Sequence, residues 1–289
     1  MIRAPWEDEK YWREGVEFLQ SAIEKKKEII KCPSANPVYE GQFVFDLSKY
    51  HLDLLFRRYS GGASIRELAP LIGGLVEFWE VSNRVSGEIC AQHNLKTCRD
   101  WHFDLVNLEH YNYCFWLVGL ALVLNIPDDQ WTRLLVLVDG EGRDILLDRV
   151  ISNRQQSRVI GTKLLHPKPY ALLLDAIDAE QNQQARLLRK FLDNWYIGLA
   201  RKGRDELWWH IYGDPVKNPL EMGNYFGRWC IEAVAAVKAF GLDDSLCLGH
   251  EHYPGDLLRP DGPSTHAPQH ADRVNKAGSI VEWVRRILG

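Results

Sequence analysis

The run Tyr113 to Ile126, YCFWLVGLALVLNI, limits the choice of fold more than any other stretch of this chain. At fourteen residues it is too short to cross a bilayer, and Pro127-Asp128-Asp129 stops it at once. A helix that is apolar on every face has to be enclosed by other elements. The rest of the chain must therefore wrap it. With 289 residues there is enough for a substantial core in one large or two small domains.

That wrapping also reads as helical. Trp12, Val16, Leu19, Ile23 and Ile30 recur at helical spacing behind Pro5. Phe43 to Tyr59 is a second helix, stopped by Gly61-Gly62. Ser64-Ile65-Arg66-Glu67 has capping-box spacing and predicts a third, kinked at Pro70 and Gly73-Gly74. Residues 102 to 125 read as the long apolar helix, followed by helices near 130–138, 144–151, 170–180 and 182–200. Asn218-Pro219-Leu220-Glu221 predicts a helix start, with Asn as cap and Pro in the first turn; that helix runs to Phe240 and stops at Gly241. Beyond Pro260 the chain reads as loose up to an amphipathic helix over about 271–288. No strand alternation stands out. The expected fold class is all-α, a compact bundle of about ten helices in what could be two halves. The basic stretch SNRQQSRVIGTKLLHPKPY (152–170) reads as a linker, dividing an N-terminal helical region (1–150) from a C-terminal one (151–260) and a tail (261–289). The segments 110–131 and 224–247 echo each other, as a duplicated unit or as two buried helices with similar ends.

Net charge is −4 and unevenly spread. Residues 100–148 hold nine acids against Arg133 and Arg143, and 205–256 hold nine against Lys217, Arg228 and Lys238. Between them, 149–174 hold five basic residues and no acid. Nucleic-acid binding needs a net basic face, so the acidic segments argue against that class and suit a basic protein partner. They would serve equally as ordinary solvated surface. The partner-binding candidates are Asp139, Glu141 and Asp144 in the first segment. In the second they are Asp205, Glu206, Trp208, Trp209, His210 and Tyr212, on what reads as a polar, aromatic loop. The start, MIRAPWEDEKYW, lacks an export signal's basic and apolar runs, so a cytoplasmic protein is expected. The six cysteines show no disulfide-framework spacing, and Cys114 and Cys230 read as reduced core thiols.

Several constellations invite chemistry. Cys90, His93, Cys98 and His102 are four zinc-ligand types within thirteen residues, but their order departs from a zinc knuckle. Asp128-Asp129 and Asp243-Asp244 suggest the aspartate-rich motif of prenyl-transfer enzymes, yet Thr132 and Cys247 stand where a third Asp is needed. Each pair comes directly after a helix end, where capping is the simpler role. His250, His252 and Asp256, with the Asp-Asp pairs, could build a metal-dependent helical hydrolase, but no H-E-x-x-H accompanies them. No serine elbow, phosphate loop or dinucleotide fingerprint is present. The balance predicts no catalytic residue, no cofactor and no metal. Gly241, Asp243, Asp244, Tyr253, Pro254 and Asp256 then form a structural motif: Gly241 ends a helix, Asp243 or Asp244 caps the next turn, Tyr253-Pro254 turns the chain, and Asp256 bonds a nearby N–H.

LLHPKPYALLLDAIDAE, LLRKFLDNWYIGLA, NYFGRWCIEAVAAVKAFGLDDS and HYPGDLL resemble consecutive segments of the PoNi-like immunity proteins, and KYWREGVEFLQ and LVLNIPDDQWTRLLVLVD resemble that family's N-terminal region. His252 and Gly255 depart from the family pattern, and the tail after Pro260 has no counterpart in it. The resemblance implies an all-α, non-catalytic protein that binds and blocks a PoNe-type DNase toxin of a polymorphic toxin system, such as one using type VI secretion. The toxin would be encoded by a neighbouring gene. The acidic segments would then face the toxin's cleft or DNA-binding surface.

Overall fold

The computed structural model describes residues 1–32, 35–98, 100–212 and 225–267. Among them are ten α-helices and no strand: α1 (Glu9–Ile29), α2 (Glu40–Ser60), α3 (Ala69–Gln92), α4 (Leu108–Val123), α5 (Asp128–Val138), α6 (Ile145–Ser152), α7 (Pro167–Asp178), α8 (Gln181–Leu199), α9 (Trp208–Tyr212) and α10 (Ile231–Phe240). α2 packs against α1 and α3, α7 pairs with α8, and α10 lies along α4.

The apolar run forms α4, and its core positions Tyr111, Cys114, Phe115, Val118 and Ala121 are fully enclosed. The helix starts at 108 rather than 102 because Asn107 caps it, accepting from the N–H groups of Glu109 and His110 at 2.9 and 3.3 Å. Gly119 sets its distance from α10: a Cβ there would stand 2.8 Å from Ile231 Cγ2. α10 answers with Ala233, Ala235 and Ala236, all enclosed. The two segments that echo each other in sequence thus pack side by side. Over its described residues 225–230 the second is not helical. Gly227 sits at φ +103°, outside helical geometry, and the N–H of Cys230 goes to His252 O at 2.8 Å. The start expected at Asn218 and the last amphipathic helix lie outside the described residues.

Other expectations need correction. Ser64 makes no cap bond; Glu67 turns to Arg58 at 3.3 Å, a 3₁₀ turn covers Ile65–Glu67, and α3 begins at Ala69. The basic stretch that reads as a linker is held against α6. Buried Asp148 binds Arg158 Nε at 2.7 Å and the Gly161 N–H at 3.0 Å. Gly161 has no room for a side chain, since a Cβ would meet Asp144 N at 2.8 Å. One continuous hydrophobic cluster runs from Ala4 to Leu257 and includes residues on both sides of this stretch. Residues 261–267, the described part of the tail, are also held. Asp256, 3% exposed, accepts from Arg3 Nε at 2.6 Å, Ser264 Oγ at 2.9 Å and the Thr265 N–H at 2.6 Å. His266 shares a 2.8 Å hydrogen bond with Tyr59. Burial would raise the Asp256 carboxyl; the Thr265 N–H and Arg3 outweigh it and hold the group below its ordinary range.

Among the described residues two fully buried carboxyls, Asp144 and Glu232, have no ion pair. Glu232, in the first turn of α10, accepts from Tyr170 Oη at 2.7 Å, and Asn112 Nδ2 donates to that same phenol oxygen. Burial raises Glu232 to about 7, against the hydrogen bond from Tyr170 that favours the charged form. Between the ordinary value of 4.5 and about 7, the folded chain keeps a proton that the unfolded chain has released. This group's contribution therefore falls as pH rises through that window. Burial lowers His252 and His266 to about 4, so they act in the opposite sense as pH falls below 6.5. Glu232→Gln leaves both histidines in place, so its difference from wild type isolates the carboxyl. Urea unfolding should find the variant more stable by on the order of 2–3 kcal/mol at about pH 8, with the gain shrinking towards about pH 5.

Candidate functional site

A half-open cleft of about 540 Å³ lies among α2, α3, α4 and α9. Its walls are mostly aromatic. Phe45 and Trp101 stack at 3.9 Å, Phe103 meets Trp79 edge-on at 5.1 Å, and Trp208 closes one side, donating from Nε1 to Tyr113 Oη at 3.0 Å. The loop that carries Trp101 and Phe103 is fixed to α3: Trp79 Nε1 donates to Trp101 O at 3.2 Å, and the Trp101 N–H to Asn83 Oδ1 at 3.0 Å.

The cleft also holds charge. Asp53 comes from α2 and Glu109 from the first turn of α4. Burial pushes both carboxyls above their ordinary range; for Asp53, Arg57 at 4.0 Å works against the rise without cancelling it. Among the described residues Glu109 has no ion-pair partner. Lys49 Nζ, at the rim, pairs with Asp46 at 2.8 Å. His110 Nδ1 accepts from the Asp104 N–H at 3.1 Å, and burial lowers its pKa. Sequence reasoning counted Glu109 only as one acid among nine and missed Asp53. Nothing local marks either as facing a cavity.

The predicted partner-binding residues separate. Asp139 and Glu141 are exposed beyond α5, where Glu141 accepts from the Val159 N–H at 2.6 Å. They lie beside exposed Val159, and the neighbouring Gly140 packs on Leu105, next to exposed Val106. Asp205 and Glu206 are exposed just upstream of the cleft residue Trp208. Asp144 does not belong to any such surface. It is fully buried, caps α6 through the N–H groups of Leu146 and Leu147, and takes the Leu165 N–H and Tyr111 Oη. Trp209 is enclosed too, packed on Trp116 and Trp195 at 5.0 and 5.8 Å. His210 stacks on Tyr196 at 4.1 Å. Tyr212 ends α9. The expected loop is in part a short helix, with Trp209 packed on the core and Trp208 at the cleft.

The remaining constellations have other partners. Cys90 and Cys98 are bonded to each other as a disulfide, a pairing the cysteine spacing did not indicate, and His102 pairs with Asp100 at 2.8 Å. That disperses the zinc set, and no other group of three ligands able to hold a metal occurs among the described residues. Asp128 and Asp129 lie inside the first turn of α5 and do not cap it; Asp128 pairs with Arg154 at 2.6 Å. Gly241 closes α10 in the left-handed region at φ +65°, and Asp243 accepts from the Ser245 N–H at 2.9 Å. Asp244 caps nothing. It accepts from Tyr253 Oη at 2.5 Å and binds Arg259 at 2.5 Å. Pro254 leads into the 3₁₀ turn Gly255–Leu258. His252 bonds Arg228 O at 3.1 Å and packs on Trp195 and Tyr196, while His250 faces Asp193 at 3.4 Å. With Asp256 tied to Arg3 and Thr265, the hydrolase set is distributed among structural contacts.

This all-helical chain with its aromatic cleft matches two consecutive segments of one class of immunity protein. Residues 3–136 match the family described as "PoNe immunity protein (PoNi), N-terminal", and residues 142–257 the one described as "PoNe immunity proteins (PoNi), C-terminal". The chain belongs to the PoNi family of immunity proteins to PoNe toxins. The fold is shared with the crystal structure of protein PA2201 from Pseudomonas aeruginosa, with a TM-score of 0.67 and 16% identity over 90% of this chain and 91% of that one. No curated protein matches the chain.

Surface and interior acids should respond differently to mutation. Asp144→Ala removes a cap and leaves the Leu165 N–H and Tyr111 hydroxyl unpaired in the core, a loss of roughly 2–4 kcal/mol by urea unfolding. Asp205→Lys with Glu206→Lys should leave the unfolding midpoint at the wild-type value.

Proposed function

We propose that this protein neutralises a PoNe-type DNase toxin by direct, tight binding that blocks the toxin's active site or DNA-binding face, without catalysis of its own. The observation that carries this reading is the match to both immunity segments over residues 3–257. A nuclease must present a basic surface to DNA. Exposed Asp104, Asp139 and Glu141, with apolar Val106 and Val159 among them, offer such a surface an acidic rim around an apolar patch. Asp205 and Glu206 extend the acidic character beside the cleft. No described helix is long and apolar enough to cross a membrane. The setting proposed is the cytoplasm, where an incoming nuclease would reach DNA, with the toxin encoded by an adjacent gene.

Co-expression with the product of the neighbouring gene tests this. The neighbour should be lethal alone, tolerated with this protein, and recovered with it as a stoichiometric complex. A harmless neighbour, or one that does not bind, counts against the reading for that pair. Reversing Asp139, Glu141, Asp205 and Glu206 to Lys should slow association and flatten its salt dependence. An association rate unchanged at low salt would remove the acidic surface from the mechanism.

A further inference from the structure

We propose that the aromatic cleft among α2, α3, α4 and α9 is an anchor pocket for an arginine side chain of the basic partner protein; this rests on the toxin-binding reading above. Three observations converge on it. The cleft is walled by aromatic faces, with Phe45, Trp79, Trp101, Phe103, Tyr113 and Trp208 the main ones. Two carboxylates open into it, Asp53 and Glu109, and among the described residues the only cation set against them is Arg57, 4.0 Å from Asp53. The one lysine at its rim, Lys49, pairs with Asp46 at 2.8 Å, its ammonium 5.9 Å from the centre of the Trp101 ring at the cleft's edge.

This chemistry excludes other occupants. An anion would meet two carboxylates. An apolar side chain would remove the remaining water from those carboxylates and return no charge, a net cost. A cation compensates them, and aromatic faces attract a cation further as water leaves. Among cations, guanidinium suits the cleft better than ammonium, because it is planar, stacks on rings, is weakly hydrated and grips a carboxylate with two parallel N–H groups. The cleft's volume, about 540 Å³, accommodates the arginine together with part of the segment that bears it. Position fits as well. The loop that forms one wall carries Asp104 and Val106, and α9 on the other side comes just after Asp205 and Glu206, so the cleft lies between the two acidic stretches assigned to the toxin. Acids on the rim would set the association rate and the pocket would set the residence time.

The test has two arms and uses the full chain with Asp53→Asn and Glu109→Gln, singly and together. These changes keep shape and remove charge from a poorly hydrated place, so thermal midpoints should hold or rise. In the first arm, the free protein is titrated at low salt with Nα-acetyl-L-arginine methyl ester and, separately, with Nα-acetyl-L-citrulline methyl ester, whose only difference in charge is the neutral side chain, while indole N–H resonances are followed. The arginine ester should saturate, shifting cleft tryptophans such as Trp101 and Trp208, and the double variant should weaken it about tenfold or more. Equal binding of the citrulline ester, or no shift with either, overturns the pocket. In the second arm, the complex with the neighbouring toxin should dissociate about tenfold or more faster for the double variant, with little change in association. A wild-type complex whose dissociation the double variant leaves unchanged overturns the pocket alone and spares the immunity reading. A wild-type protein that forms no complex overturns the immunity reading, and the partner assigned here falls with it.

Discussion

Covering α4 on all sides places most of its neighbours. A helix with no polar face gains only when every face is removed from water, so elements distant in sequence must arrive from several directions. α10 can lie close because Gly119 faces Ile231 and Ala235. Phe56 from α2, Trp209 from α9 and Phe226 close around Trp116 at 5.0–6.2 Å. Asn112 is the polar exception, and it explains the unusual interior chemistry. Its amide is buried at the centre of the bundle, and Nδ2 donates to Tyr170 on α7 and Glu232 on α10.

Carboxylates fasten the segments that helix packing leaves loose. Asp144 and Asp148 hold the stretch from Leu165 back to Arg158 against α6, Asp244 holds Tyr253 and Arg259, and Asp256 joins the two ends of the described chain through Arg3 and Thr265. Each replaces water by several N–H or O–H donors, the condition under which a buried charge is tolerated. Gly255 has a part in this. A Cβ there would meet Thr265 Oγ1 at 2.7 Å, so the lack of a side chain makes room for Thr265 to reach Asp256. His252 packs on Trp195 and Tyr196. These buried acids also change the meaning of the charge distribution. Asp144, Asp148, Glu232, Asp244 and Asp256 add to the acidic count of two segments but little to the surface a partner meets.

The helices were legible because their signals are local. Apolar periodicity and the stop at Gly241, which ends α10, could be read along the chain, whereas Asn107 and Asp144 cap helices without having been read as caps. The family resemblance was legible for a similar reason, since it resides in contiguous segments. The cleft was not. Phe45, Asp53, Trp101, Glu109 and Trp208 are ordinary residues of four separate stretches, and only their meeting makes a pocket. Trp208 and Trp209 show the limit most sharply: adjacent in sequence, one edges the cleft and the other is sealed against Trp116 and Trp195.

The sequence by itself determined the all-helical class, the enclosed α4 and the immunity family. Periodicity, caps and contiguous motifs act between residues a few positions apart, and no long-range information is needed to read them. Tertiary structure alone decided which acids are surface and which are fasteners, and where the aromatic residues open into a cleft. Those outcomes depend on partners far away in the chain: Arg158 for Asp148, Arg3 for Asp256, and Tyr113 for Trp208. A carboxylate's role is set by how much water it keeps and which donors reach it, and neither is fixed until the chain has packed.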